Sequence, residues 1–186
     1  AELAATAALE WRDSGEPVRA DCARRIVALL SDSEASATSK SILRARAGDA
    51  LGRLGDSRFD AEHWYLPAKP LFGFIEIPAG SFKMGSDKRR DGQAYDDELP
   101  QHEVNLSAYY VARWPVIVAQ FAAFVGDGGH ESADPDCLKG IANHPVVRVS
   151  WHDAMAYGRW LNEQLRKLAP ERLATRGAII PPSLCP

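Results

Sequence analysis

The chain has 186 residues, 46% hydrophobic and 25% charged, a size and composition that suit one ordinary soluble domain, or one small domain with an appendage. Lys and Arg total 22 against 25 Asp and Glu, a net charge of −3, which excludes a global basic field for nucleic acid or an anionic membrane. No apolar run approaches a membrane span, and the scattered Cys22, Cys137 and Cys185 form neither a disulfide framework nor a zinc spacing.

The start, A-E-L-A-A-T-A-A-L-E-W, lacks the basic opening and continuous apolar core of a signal peptide. It also lacks Met, so a fragment or processed chain is expected, and the odd, scattered cysteines predict a reducing cytoplasm. Residues 1–60 read as helices. Ala4, Ala5, Ala7, Ala8 and Leu9 favour helix, and Gly15-Glu16-Pro17 breaks it. Pro17 suits a new first turn, followed by the apolar stripe Cys22, Ile26, Val27, Leu29 and Leu30. Residues 31–41, rich in Ser, Ala and Thr, predict a loop. Leu43, Ala47, Ala50, Leu51 and Leu54 predict the next helix, with Gly55 as a left-handed C′ stop. The phrase R-A-R-A-G-D-A-L-G-R-L-G-D-S-R-F (44–59) resembles a HEAT-type repeat unit. Two readings stand: the end of a solenoid, or an ordinary helical hairpin packed on the following domain.

Residues 61–73, with Pro67, Pro70 and the cluster Trp64-Tyr65-Leu66, predict a linker whose aromatics hold it to a neighbour. At Phe74 the pattern turns to β: Phe74, Ile75 and Ile77, a turn at Pro78-Ala79-Gly80, then Phe82 and Met84 alternating with polar residues. A hairpin is the expectation. Residues 87–100 are a charged loop, and Asp91, Asp96, Asp97 and Glu98 are candidate calcium oxygens. Their spacing is not that of an EF-hand, so a solvated loop is preferred, with Glu98 paired to an Arg. H-E-V-N-L and Y-Y-V-A-R (102–113) read as strands. Val118, Phe121, Ala122 and Val125 predict an amphipathic helix over 116–125. Residues 126–143 form a Gly-, Asp- and Pro-rich loop containing Cys137, expected to be structural or merely tolerated rather than reactive. Val146, Val147 and Val149 make a short β run. Ser150-Trp151-His152-Asp153 then has the shape of a capping box, opening a helix with the stripe Ala154, Tyr157, Leu161, Leu165 and Leu168, widened by Trp160.

Four phrases in this order resemble the start of the sulfatase-modifying-factor domain, the family that includes formylglycine-generating enzymes. They are F-I-E-I-P-A-G-S-F-K-M-G-S (74–86), D-D-E-L-P-Q-H-E-V (96–104), Y-Y-V-A-R-W-P-V (109–116) and H-P-V-V-R-V-S-W-H-D-A-M-A-Y-G-R-W-L (144–161). The resemblance implies an α+β, partial C-type-lectin-like fold for 74–176, behind the helical, HEAT-like segment 1–60 and the linker 61–73. Where the family has Thr after the Val matched by Val116, this chain has Ile117, which predicts a helix cap weaker by about 1 kcal/mol. The family continues with an R-L-P-T-E-A-E-W-E-like segment, then with paired cysteines that hold copper and with calcium ligands. Here 172–177 read R-L-A-T-R-G and 177–186 form an irregular tail, so a truncated or frame-shifted domain without its own catalytic centre is expected. A half-domain of this kind predicts exposed apolar faces and edges, hence self-association or a protein or peptide partner.

No residue is assigned a catalytic, cofactor-binding or metal role. Copper and calcium are implied for intact family members alone. Among His63, His102, His130, His144 and His152 no metal-motif spacing occurs, although His144 and His152 stand across one strand-to-helix turn. The separate histidine motif of the related ergothioneine-type sulfoxide synthases is absent. No nucleophile elbow or P-loop occurs. Trp11, Trp64, Trp114, Trp151 and Trp160 read as core and staple residues rather than a sugar platform. The rival expectation is a non-enzymatic binding module of the same fold, a use the resemblance also implies.

Overall fold

The structure is a computed structural model that describes residues 16–32, 34 and 40–168. The Ala-rich start with Trp11, much of the 31–41 loop, and residues 169–186 with Cys185 lie outside the described residues.

Helix α1 (Glu16–Ser31) and helix α2 (Ser41–Leu54) pack through Ala23 and Ile26 against Ala50, Leu51 and Leu54. Burying three large aliphatic side chains contributes roughly 5–8 kcal/mol. Ordering the backbone costs about 1–2 kcal/mol per residue, so the pair depends on its contact with the rest of the chain. Glycine makes that contact close. A Cβ on Gly52 would stand 2.2 Å from Asn143 Oδ1 and 2.6 Å from Ile141 Cγ2. Asn143 Nδ2 donates to Gly48 O and to Asp56 Oδ2, each at 3.0 Å, and His144 Nε2 lies 2.7 Å from Asp49 Oδ1. The pair is thus docked on the following domain through the 141–144 loop. Gly55 has φ +103° and ψ 113°, outside the left-handed helical well, so α2 ends without the expected C′ geometry.

The stretch expected to be a linker is built into the domain. Strands β1 (Phe59–Asp60) and β2 (Leu66–Pro67) pair, and Leu66 and Phe72 are core residues. Trp64 packs edge-on against Trp160, with ring centroids 5.9 Å apart.

The expected hairpin across Pro78 does not form. Strand β3 (Phe74–Ile77) pairs antiparallel with β6 (Tyr109–Ala112), and β4 (Gly80–Met84) with β5 (His102–Leu106). Two-residue hairpins need positive φ at their first loop position, which Pro78 cannot adopt. One register runs through the break, Ile77 opposite Tyr109 and Gly80 opposite Leu106. The two pairs are therefore successive parts of one arm, interrupted where Pro78 has no N–H to donate. The charged loop 85–101 lies at its tip. Phe74 packs toward the core and Tyr110 is buried, whereas every residue of β4 is exposed.

Helix α3 (Val118–Gly128) starts and ends later than expected and buries Val118, Gln120, Phe121 and Phe124, while Ala122 faces outward. Ile117 occupies its N-cap position without a side-chain acceptor. The exposed amides are satisfied otherwise: Val118 N donates to His144 O and Ala119 N to Ala142 O, both at 2.9 Å. Helix α4 (Trp151–Lys167) is capped as expected, Asp153 N donating to Ser150 Oγ at 3.1 Å and Ser150 N to Asp153 Oδ2 at 2.9 Å. Its buried stripe is Tyr157, Trp160, Leu161 and Leu165, and Ala154 is exposed. Both helices close on one aromatic core, with Phe124 between Phe121, Tyr157 and Trp160 at centroid distances of 5.4, 5.7 and 5.4 Å.

Candidate functional site

A cleft of about 170 Å³ opens between the base of the β3–β6 arm and helices α3 and α4. Phe72, Phe74 and Tyr110 line one side; Gln120, Tyr157 and Leu161 line the other. Phe72 and Gly73 of one wall belong to a left-handed backbone run that starts at Leu71: the three have φ of 56° (Leu71), 51° (Phe72) and 77° (Gly73). For the first two residues this costs about 1–2 kcal/mol each. Tertiary contacts hold it. Phe72 is buried in the core, Arg113 N donates to Gly73 O at 3.1 Å, and a Cβ on Gly73 would stand 2.7 Å from the Trp114 ring. A second left-handed pair, Trp64 and Tyr65, is tied down by buried Gln120, whose Nε2 donates to Tyr65 O at 3.0 Å. Gln120 Oε1 accepts from Ile117 N at 2.9 Å, so both ends of this amide are used.

At the mouth Arg113 lies over the Trp114 ring, 5.4 Å from its centroid. No carboxylate pairs with its guanidinium among the described residues. Tyr157 is 8% exposed, and burial pushes its phenol well above the usual range. Tyr110 is also raised, by burial and then by Glu76, which takes its hydroxyl hydrogen bond.

A second polar cluster lies at the start of α4. Asp153 is 2% exposed; its Oδ1 lies 2.7 Å from His130 Nε2, and Ser150 Oγ lies 2.7 Å from its Oδ2. The His130 contact, then the Ser150 hydroxyl and amide, hold the carboxyl far below its ordinary range. The order Ser–Asp–His differs from a nucleophile triad, in which His touches the hydroxyl. The carboxylate separates them here, so the cluster is a staple joining the 130–135 loop to α4. His130 also lies against Phe124, with centroids 4.8 Å apart.

The remaining candidates are dispersed. His63 Nδ1 lies 2.8 Å from Asp60 Oδ2, and His102 Nδ1 lies 2.9 Å from Pro100 O. His144 faces Asp49 and His152 meets Trp151, so the two turn histidines have different partners. Glu98 accepts from Ser86 rather than an Arg, Asp96 pairs with Lys88, and Asp91 accepts from the Gln93 amide. No group of three or more His, Cys, Asp or Glu placed to hold a metal occurs among the described residues. The loop carboxylates do not fit calcium, which needs about six to eight converging oxygens. The described cysteines do not fit a two-thiolate copper site either: Cys22 lies on α1, and Cys137 is 1% exposed in the domain core. Trp114 lines the cleft, Trp160 is core, and Trp151 is exposed. Arg113, Trp114 and Tyr157 stand in two of the family-like phrases, 109–116 and 144–161, but nothing local in those phrases says that they share a cleft; only the fold brings them together.

The family described as the sulfatase-modifying factor enzyme 1-like domain matches residues 66–179. The formylglycine-generating enzyme of Streptomyces coelicolor is 30% identical over 58% of this chain and 48% of its own length. That of Mycobacterium tuberculosis is 28% identical over 58% of this chain and 52% of its own. The chain thus spans about half the length of these relatives. The serine/threonine-protein kinase Pkn1 of Chlamydia trachomatis is 30% identical over 60% of this chain, but only 20% of the kinase is covered. Among solved structures, PvdO from Pseudomonas aeruginosa matches at 27% identity and a TM-score of 0.39, over 49% of this chain and 40% of that one.

Proposed function

The chain belongs to the sulfatase-modifying factor enzyme 1-like domain family, and on that premise we propose that its described part is the binding and scaffolding portion of such a domain, with no catalytic centre of its own. The observation that carries this is the placement of the thiols. Cys137, buried against Ser132, is the one cysteine the described part of the domain contains, and Cys22 belongs to the separate core of α1 and α2. The open apolar cleft and the apolar arm supply surface for recognition instead. We read the domain as C-type-lectin-like and the helical pair as one HEAT-type unit, in a cytoplasmic protein. The exposed arm is read as the face for self-association or for a protein or peptide partner. The names of the bacterial relatives favour a second reading, in which the whole protein oxidises a peptidyl cysteine to formylglycine through residues outside 16–168.

Incubating the 186-residue chain with a C-x-P-x-R peptide, copper and oxygen tests the non-catalytic reading. No aldehyde is expected by mass spectrometry. Aldehyde formation by this chain would overturn the non-catalytic reading.

A further inference from the structure

Four observations on the cleft point to a ligand. Its volume of about 170 Å³ is that of a cavity able to hold one six-membered ring. Tyr157, 8% exposed and lining the cleft, makes no hydrogen bond from its hydroxyl to any described residue. Arg113, at the rim, has no carboxylate partner among the described residues. Gly158 also lines the cleft from the middle of α4, and nothing lies within 4 Å of where its Cβ would stand. A mid-helix glycine costs about 1 kcal/mol relative to alanine, and here its effect is to keep the cleft open.

From this we infer that the cleft between β6 and α4 binds a carboxylic acid bearing a single apolar ring, about the size of one aromatic residue. The ring enters between Phe72, Phe74 and Leu161. The carboxylate meets the Arg113 guanidinium at the rim, and the Tyr157 hydroxyl supplies a hydrogen bond inside. Charge selects the acid, because Arg113 is the one cation in the lining and it stands beside Trp114 and Ala112 at the entrance. The inference deepens the binding reading above. It is separable from it, since ring entry is measured whatever the aldehyde assay returns.

The test titrates the full chain with N-acetyl-phenylalanine and with its amide, followed by calorimetry and tryptophan fluorescence. The acid is expected to bind with Kd of about 1 mM or tighter, as befits its few heavy atoms. The amide should bind about tenfold more weakly. Arg113→Gln should bring the acid to the amide's level and leave the amide unchanged. Gly158→Leu, which fills the cleft from a helical position with open space, should abolish binding of both without lowering the thermal midpoint. The inference is overturned if acid and amide bind equally, if Gly158→Leu still binds, or if the acid does not saturate by about 10 mM.

Discussion

Asp153 keeps its charge at 2% exposure because His130, the Ser150 hydroxyl and amide, and the Ala133 amide all face it. Its folded pKa lies far below the unfolded carboxylate value of about 3.9. The stabilisation is therefore fully present above that value and is lost as pH falls below about 4 toward the folded pKa. Asp153→Asn should lower stability at pH 7 by about 3 kcal/mol, since it leaves buried donors without their anion. It should also flatten the acid limb. Urea midpoints at neutral pH and near pH 3 measure both, and parallel pH curves for the two proteins would contradict the linkage. The Ser150–Asp153 half of this cluster was legible in the sequence, because capping is a local, three-residue pattern. His130 was not, because it arrives from 23 residues away on a loop whose path no periodicity encodes.

At the scale of elements, two glycines of helix α2 have opposite surroundings. Gly52 permits contact with the 141–144 loop, whereas Gly48 has nothing within 4 Å of an added Cβ. Gly52→Ala should therefore cost about 1–3 kcal/mol by overpacking and should expose the junction after α2 to protease. Gly48→Ala should instead stabilise by up to about 1 kcal/mol through helix propensity. Equal midpoints for the two variants would show that the docking is not close. The helices themselves were readable from their apolar spacing, as were the short β runs. Strand partners were not: Pro78 rules out the nearest pairing, and the choice falls to the strand about 30 residues on. Ile117 is a similar case. The missing cap hydroxyl was visible, but the His144 and Ala142 carbonyls that replace it were not.

Across the whole molecule, one aromatic core holds α3, α4 and the base of the arm, while the arm's outer face stays apolar and open. Ile75 and Val111 face each other across it at 46% and 45% exposure. Such cross-strand apolar pairs normally lie under another layer. Val111→Lys is expected to reduce concentration-dependent association in sedimentation velocity, with the urea midpoint changed by no more than about 0.5 kcal/mol. Unchanged association would remove the arm from consideration as the contact surface.

Local chemistry in the sequence was enough to establish the helices, the Ser150 cap, the β character of the arm and, through ordered phrases, the family. These depend on neighbours within a few residues, where propensity and periodicity act. The packing of the presumed linker into the core, the single register through Pro78, the His130–Asp153 contact and the cleft of Arg113, Trp114 and Tyr157 were decided by tertiary structure. Each joins groups distant in the chain, and their energies exist only once the core has closed around them.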